Sequence, residues 1–289
     1  MIEVQESELE LQTYNEPDVV QHYASLEYVT ACERLLFDRY IQAGMSVLDL
    51  GVGGGRTTHD LSGRARRYVG LDYAEEMVQV CRQKFPEIDL RRADACDLSQ
   101  FPAGSFDAVV FSFNGIDCLT STAKRMQCLR ECNRVLRQGG VFIFSTHNPR
   151  AIFSHPAWNP AKVRQFASKM VGANRAILPL AVSAVTLLKA VHATGRAVAY
   201  SLARIPRAAS AAFWQGEGYI QERVQEGMAV HHAVPAHVSR ELASCGFGLC
   251  EVAGNDYPRK PRAYVTQWYY YACVKAELDS RRTLADSRS

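Results

Sequence analysis

Four glycines at 51, 53, 54 and 55 stand between an apolar run, Ser46 to Leu50, and Arg56-Thr57-Thr58, which opens a helical stretch. A glycine-rich strand-to-helix turn lets backbone come close to a ligand and aims helix N–H groups at it. Asp72 ends a second apolar run, Tyr68 to Leu71, and lies 21 residues after Gly51. At that distance a carboxylate can accept both hydroxyls of a ribose. Histidines supply the usable bases near neutral pH. His147 ends a later apolar run, on the rim where a reacting group would lie, and His231-His232 precede a helix that starts at Pro235. Strand alternation lets only one of that pair point inward, and His232 is read as the inward one.

The frame that must hold these residues is an alternation of strands and helices. Ser46–Leu50, Tyr68–Asp72, Ile88–Arg92, Asp107–Phe113 and Val141–Thr146 read as strands; Thr57–Arg64, Glu75–Phe85 and Thr122–Arg137 read as the helices between them. This rhythm implies a parallel sheet covered on both faces. Thr13 to Tyr40 reads as one or two helices ahead of the sheet, and Gly139-Gly140 as a helix stop before a strand. Ile220–His232 reads as a strand, Pro235 to Gly246 as a helix, and Phe247–Val252 and Trp268–Val274 as a final pair of strands.

Four segments carry a family resemblance: Val47-Leu-Asp-Leu-Gly-Val-Gly-Gly-Gly-Arg56, Val69-Gly-Leu-Asp72, Asp94-Ala95 and Phe106-Asp-Ala-Val-Val-Phe111. Here the chain resembles the class I S-adenosylmethionine-dependent methyltransferases, from about Tyr14 to about Lys275, and their small-molecule branch in particular. A dinucleotide dehydrogenase fits worse. Its fingerprint wants glycines at 51, 53 and 56, and position 56 is Arg. The resemblance implies an α/β fold with a doubly wound, seven-stranded, mostly parallel Rossmann-like sheet, and Asn148 to Trp214, Ala-rich and helical in pattern, reads as an insert after the fifth strand. The closing strand pair then corresponds to the antiparallel hairpin that ends the methyltransferase sheet. It also implies S-adenosyl-L-methionine as cofactor. Asp49 then lies near the methionine amino group, with Gly51, Gly53 and Gly55 under the methionine and ribose. Asp72 takes the ribose hydroxyls, Tyr73 and Met77 lie against the adenine, and Asp94 with the Ala95 backbone reads its edge, with Asp97 as the fallback. Phe111 leads into the segment whose carbonyls hold the methionine ammonium. Tyr14 and Tyr23 match tyrosines that fold over the cofactor, or are ordinary helix aromatics.

Asn114 is read either as an acceptor contact or as a plain turn residue. The run Phe113-Asn-Gly-Ile116 replaces the Asn/Asp-Pro-Pro-aromatic motif of base-modifying relatives, which argues against nucleobase chemistry. His147 and His232 are the candidate bases, the other reading of His147 being a loop anchor. Trp214 and Tyr219, around the Gly216 and Gly218 pair, are candidate pocket walls.

The 289 residues, 47% hydrophobic and 22% charged, are ordinary for a soluble globular protein. Nine cysteines form no CxxC pair, so they read as reduced thiols packed as small hydrophobes, with no metal site. Met1 to Glu16 is acidic, unlike a secretory signal, and the expectation is a cytoplasmic protein. Between Gln138 and Gly216 there is no Asp or Glu but nine Lys and Arg, whereas the whole chain is only +3. The expected organisation is a cofactor-binding half with an N-terminal helical cover (1–147), a basic helical insert capping the substrate (148–218), the end of the α/β domain (219–275) and a disordered tail (276–289). The insert has too few interleaved aromatics for nucleic acid. A small-molecule, glycan or lipid-linked acceptor, methylated on oxygen or nitrogen, and a peripheral membrane contact suit it better; a solvated basic face is the plain alternative. An inactive cofactor-binding partner protein is the other reading of the whole chain.

Overall fold

Val47, Leu48 and Leu50 are wholly buried because β1 (Ser46–Leu50) runs through the middle of the sheet, with β2 (Arg67–Asp72) and β4 (Phe106–Phe111) parallel on either side. A computed structural model describes residues 13–119, 121–151, 160–171, 175–188, 207–221 and 229–276. The expected tail beyond Ala276 and several parts of the insert lie outside the described residues. β3 (Asp89–Arg92) pairs with β2, and β5 (Leu136–His147) pairs with β4, both parallel. β9 (Trp268–Lys275) runs antiparallel beside β5, and β8 (Phe247–Gly254) antiparallel beside β9. The seven expected strands are therefore present, in the order β3-β2-β1-β4-β5-β9-β8.

Two more strands complete a nine-stranded sheet. The single strand expected over Ile220–His232 is instead an antiparallel pair, β6 (Glu217–Gln221) and β7 (Ala229–Ala233). β7 joins β5 at one point, His147 opposite His232. β5 also starts earlier than expected, since Gly139-Gly140 lies within the strand and Gly139 alone takes a left-handed φ of 68°.

Period-two alternation sorts the strand side chains into two cores. Leu48, Val69, Val109, Phe111, Phe142, Phe144 and Tyr271 pack on one face; Val47, Tyr68, Ala108, Val110, Val141, Ile143 and Tyr270 pack on the other. The helices that cover these faces supply matching apolar stripes. α1 (Pro17–Ala24), α2 (Ala31–Tyr40), α3 (Thr58–Arg64) and α4 (Glu75–Lys84) come first in the chain; α5 (Thr122–Val135) buries Cys128, Leu129, Cys132 and Val135. Seven of the nine free cysteines are buried, acting as small hydrophobes.

The N-terminal helices are fixed to the glycine turn by polar ties. Thr30 caps α2 by accepting from the Glu33 N–H, while Glu33 accepts from the Thr30 N–H, a reciprocal capping box. The same Glu33 carboxylate receives the guanidinium of Arg56, with both side chains nearly or wholly buried. Burial works against the Glu33 charge, but the Arg56 contacts hold its carboxyl below the usual range. Lys84 donates to the carbonyls of Ala24 and Gly54. Gly54 leaves no space for a side chain, since a Cβ there would sit 2.5 Å from Ala24 Cα.

Glu33→Gln should leave the Arg56 charge buried without its counter-charge, a loss of about 3–5 kcal/mol. Urea unfolding should show it, and a loss within about 0.5 kcal/mol would mean that the cover is held by apolar packing alone.

Candidate active site

A cavity of about 540 Å³ opens at the carboxyl ends of β1, β2, β4 and β5. It lies where the strand order reverses on either side of β1, the usual ligand crevice of an open parallel sheet. Gly51, Gly53, Asp72, Tyr73, Met77, Asp94, Ala95, Phe111, Asn114 and His147 all line it, as do Tyr14 and Tyr23 from the cover. Residues distant in sequence thus converge on one volume.

The turn after β1 has left-handed φ values at Gly51, Gly53 and Gly55, of 63°, 53° and 90°. A Cβ on Gly51 would come 2.8 Å from the Phe111 ring, and one on Gly115 would come closer still. Phe111 therefore fills a slot between two glycines and forms the cavity floor. The Asp72 carboxylate accepts from the N–H groups of Gly53 at 2.8 Å and Ala74 at 2.9 Å. These bonds use part of an acceptor capacity of about four lone pairs, so sites remain for a diol. Burial raises its carboxyl despite the backbone donors of Ala74, Gly53 and Tyr73. Asp94 accepts from Cys96 N–H and keeps a place in the cavity wall. Arg91 and Arg92 are engaged elsewhere, with Asp89 and the Tyr73 carbonyl. Asp97, the fallback, instead accepts from Ser99 N–H beside a separate surface depression.

Asp49, Gly55, His232, Trp214 and Tyr219 are not in the cavity wall. Asp49 is 1% exposed and accepts from the hydroxyls of Thr57 and Tyr68, both at 2.8 Å. Burial pushes its carboxyl up to about 6, against those two hydrogen bonds. It braces the turn from behind. Gly55 backs onto Phe85 and Cys81. Trp214, on α8 (Arg207–Gln215), is 77% exposed. Tyr219 packs on His231 at 5.0 Å between ring centres. His232 is buried with its ring 4.9 Å from that of His147.

His147 lines the cavity from the end of β5, and His22 lines it from α1. The His147 ring Nδ1 lies 2.9 Å and its backbone N–H 2.7 Å from the same oxygen of Asp117. With Nδ1–H donating to that carboxylate, Nε2 is the basic, lone-pair position of the neutral ring. Nε2 lies 3.4 Å from the Asn114 side-chain nitrogen. Asn114 and Phe113 both take left-handed φ, 63° and 56°, which for a Phe costs about 1–3 kcal/mol. The Ser145 hydroxyl accepts from Asn114 N–H, and the Phe113 ring is held between Trp268 and the Arg56 guanidinium.

Asp117 was not singled out from sequence. It sits in the 3-10 turn Gly115–Cys118 with no exposure, and its second oxygen receives Arg125 at 3.0 Å. Arg125, also fully buried, turns its Nε to Glu241 of α9 (Pro235–Ser244), at 3.1 and 3.2 Å from the two oxygens. His237 stands 3.7 Å from Glu241, and His231 3.9 Å from Asp117. Burial opposes the Asp117 charge, but the histidines and Arg125 overcome it and hold the carboxyl well below the usual range. Burial likewise opposes the Arg125 charge, and Glu241 with Asp117 more than restores it. The one sequence signal for this network was charge at core positions of two amphipathic helices, Arg125 among Cys128, Leu129 and Cys132, and Glu241 between Val238 and Leu242.

A depressed carboxyl contributes stability above its unfolded pKa of about 3.9, and that contribution is lost as pH falls toward the folded value. Asp117→Asn should therefore cost at least about 2 kcal/mol at pH 7. The gap between parent and variant should narrow below pH about 4. Urea titrations at pH 7 and pH 3 measure both; a gap that does not change with pH would mean that Asp117 is not the charged centre of the network.

Comparison with known proteins agrees with this geometry. Residues 48–144 match a methyltransferase domain family. A probable S-adenosylmethionine-dependent methyltransferase of Mycolicibacterium smegmatis is 42% identical over 112 residues, 39% of this chain and 41% of that protein. A ubiquinone biosynthesis O-methyltransferase of Xanthomonas axonopodis is 32% identical over 127 residues, 43% of this chain and 48% of that one. The chain thus spans less than half the length of these relatives. In fold it is similar to the CcbJ methyltransferase of Streptomyces caelestis, with a TM-score of 0.55 at 15% identity over 92% of this chain and 98% of that one. Over residues 48–144 the chain is thus similar to the methyltransferase domain of S-adenosylmethionine-dependent enzymes.

Proposed function

We propose that the protein transfers a methyl group from S-adenosylmethionine to a hydroxyl oxygen of a small, lipid-like acceptor. The observation that carries this reading is the His147–Asp117 pair in the cavity wall, because a hydroxyl needs a base where an amine needs none. The cavity suits the cofactor: a carboxylate at Asp72 with acceptor capacity left, an acidic edge at Asp94, and a floor kept open by Gly51 and Gly115 against Phe111. When bound, the cofactor supplies an electrophilic sulfonium methyl. The name of the Xanthomonas relative, a quinone-pathway O-methyltransferase, supports an oxygen acceptor.

Each residue's part follows from its position. Asp72 holds the ribose diol, and Met77 with Tyr73 flanks the base. Phe113 and Trp268 give the acceptor side apolar walls next to His147, whose ring is 6.0 Å from that of Trp268. His147 Nε2 takes the acceptor proton, and Asp117 holds the ring's tautomer and steadies the imidazolium that forms. Arg125 does not touch the acceptor; it keeps Asp117 ionised. Positioning supplies much of the rate, an effect that can reach about 7–11 kcal/mol in well-oriented pairs.

Asp72→Ala should weaken binding of S-adenosylhomocysteine by about 10- to 150-fold in calorimetry, the loss of charge-assisted hydrogen bonds. His147→Ala should leave that affinity unchanged and lower kcat by about 100-fold or more with a phenolic or enolic acceptor. Parent-like turnover in the His147 variant would overturn the base assignment. Cofactor binding without turnover of any hydroxyl acceptor would favour an inactive binding protein.

A further inference from the structure

Two helices of the basic insert, α6 (Pro160–Val171) and α7 (178–188), form a small unit of their own. Leu178, Ala181, Val182 and Val185 of α7 pack with Ala167 of α6. A second apolar face of α7 is left open. Leu180, Ala184, Leu187 and Leu188 recur at i, i+4, i+7 and i+8, a spacing that gathers them on one side of a helix. Leu180, Leu187 and Leu188 are 76%, 67% and 74% exposed, and Met170 of α6 is 66% exposed. These are large side chains in water, contiguous along one helix, and such a patch marks an interaction site.

Charge decides between occupants. No residue from 176 to 188 is charged, Arg164 and Lys169 of α6 are exposed, and no Asp or Glu occurs between Gln138 and Gly216. Leucines alone would suit any apolar partner. Complete exclusion of acids, together with nine bases, suits an anionic headgroup layer, which attracts each base and repels each acid. Helix α7 is about 16 Å long at 1.5 Å per residue, about half the hydrocarbon thickness of a bilayer. Among the described residues no helix is long and apolar enough to cross a membrane. The helix would lie in the plane of the surface, apolar side down and flanked by bases.

We infer that the open face of α7, with the bases of α6, docks this protein on an anionic lipid surface. The inference does not depend on the acceptor's identity. Its test is flotation of the full chain with vesicles of pure phosphatidylcholine or of phosphatidylcholine with phosphatidylglycerol. The parent should bind the anionic vesicles, bind the neutral ones several-fold less, and be released as salt rises. Leu180→Ser/Leu187→Ser/Leu188→Ser should lower anionic binding by about tenfold or more, and Arg164→Glu/Lys169→Glu should lower it on anionic vesicles only. S-adenosylhomocysteine affinity, read by calorimetry, should be unchanged in both variants, which shows that the body is folded. Three results would overturn the inference: no anionic binding by the parent, equal binding by the serine variant, or a parent dimer in sedimentation that the serine variant reduces to monomer. The last would assign the face to a second copy of the chain.

Discussion

Asp117 and Arg125 have no contact with water, so each keeps its charge only through its buried neighbours. An isolated ion at this depth would neutralise or force the fold open. Three elements meet at this pair: the turn after β4 supplies Asp117, α5 supplies Arg125, and the end of β5 donates both the backbone N–H and the ring of His147. Glu241 brings α9 to the far side of the same guanidinium. Removing one charge would leave the others without compensation. The position of His147 is thus set by electrostatic balance behind the cavity wall as much as by strand geometry.

The cofactor half is constrained differently, by space. Gly51 and Gly115 exist as glycines because the Phe111 ring occupies the volume a Cβ would need. Gly54 is a glycine because the backbone of Ala24 passes over it. Those contacts bring Tyr14 and Tyr23 into the cavity wall together with the turn. Asp49, which the family resemblance places at the ligand, here spends its oxygen on Thr57 and Tyr68 and stiffens the turn from below.

Most of this frame was legible in the sequence because its signals are local. Apolar runs marked the strands, the glycines marked the turn, and Asp72 stood at the end of its strand as expected. The buried ion network leaves only a faint trace, charge at the core positions of Arg125 and Glu241, because the partners that explain it meet across 116 residues of chain. The hairpin of β6 and β7 reads as one strand because its first arm, Glu217–Gln221, carries Glu, Gly and Gln and so makes no apolar run. Trp214 was read as a wall from its aromatic character; exposure is set by how a helix is rotated, which one residue does not reveal.

The pairing of His147 with His232 puts the end of β5 and the end of β7 on the same rung of the sheet. The stretch of chain between them, which includes β6, begins and ends at one place. Ends that meet make replacement of the loop cheap, since closure entropy rises only slowly with length. Cofactor strands and closing hairpin lie outside that stretch. Such a joint permits descendants of one scaffold to exchange the stretch between the two histidines while the strands and glycine turn that line the cavity stay as they were.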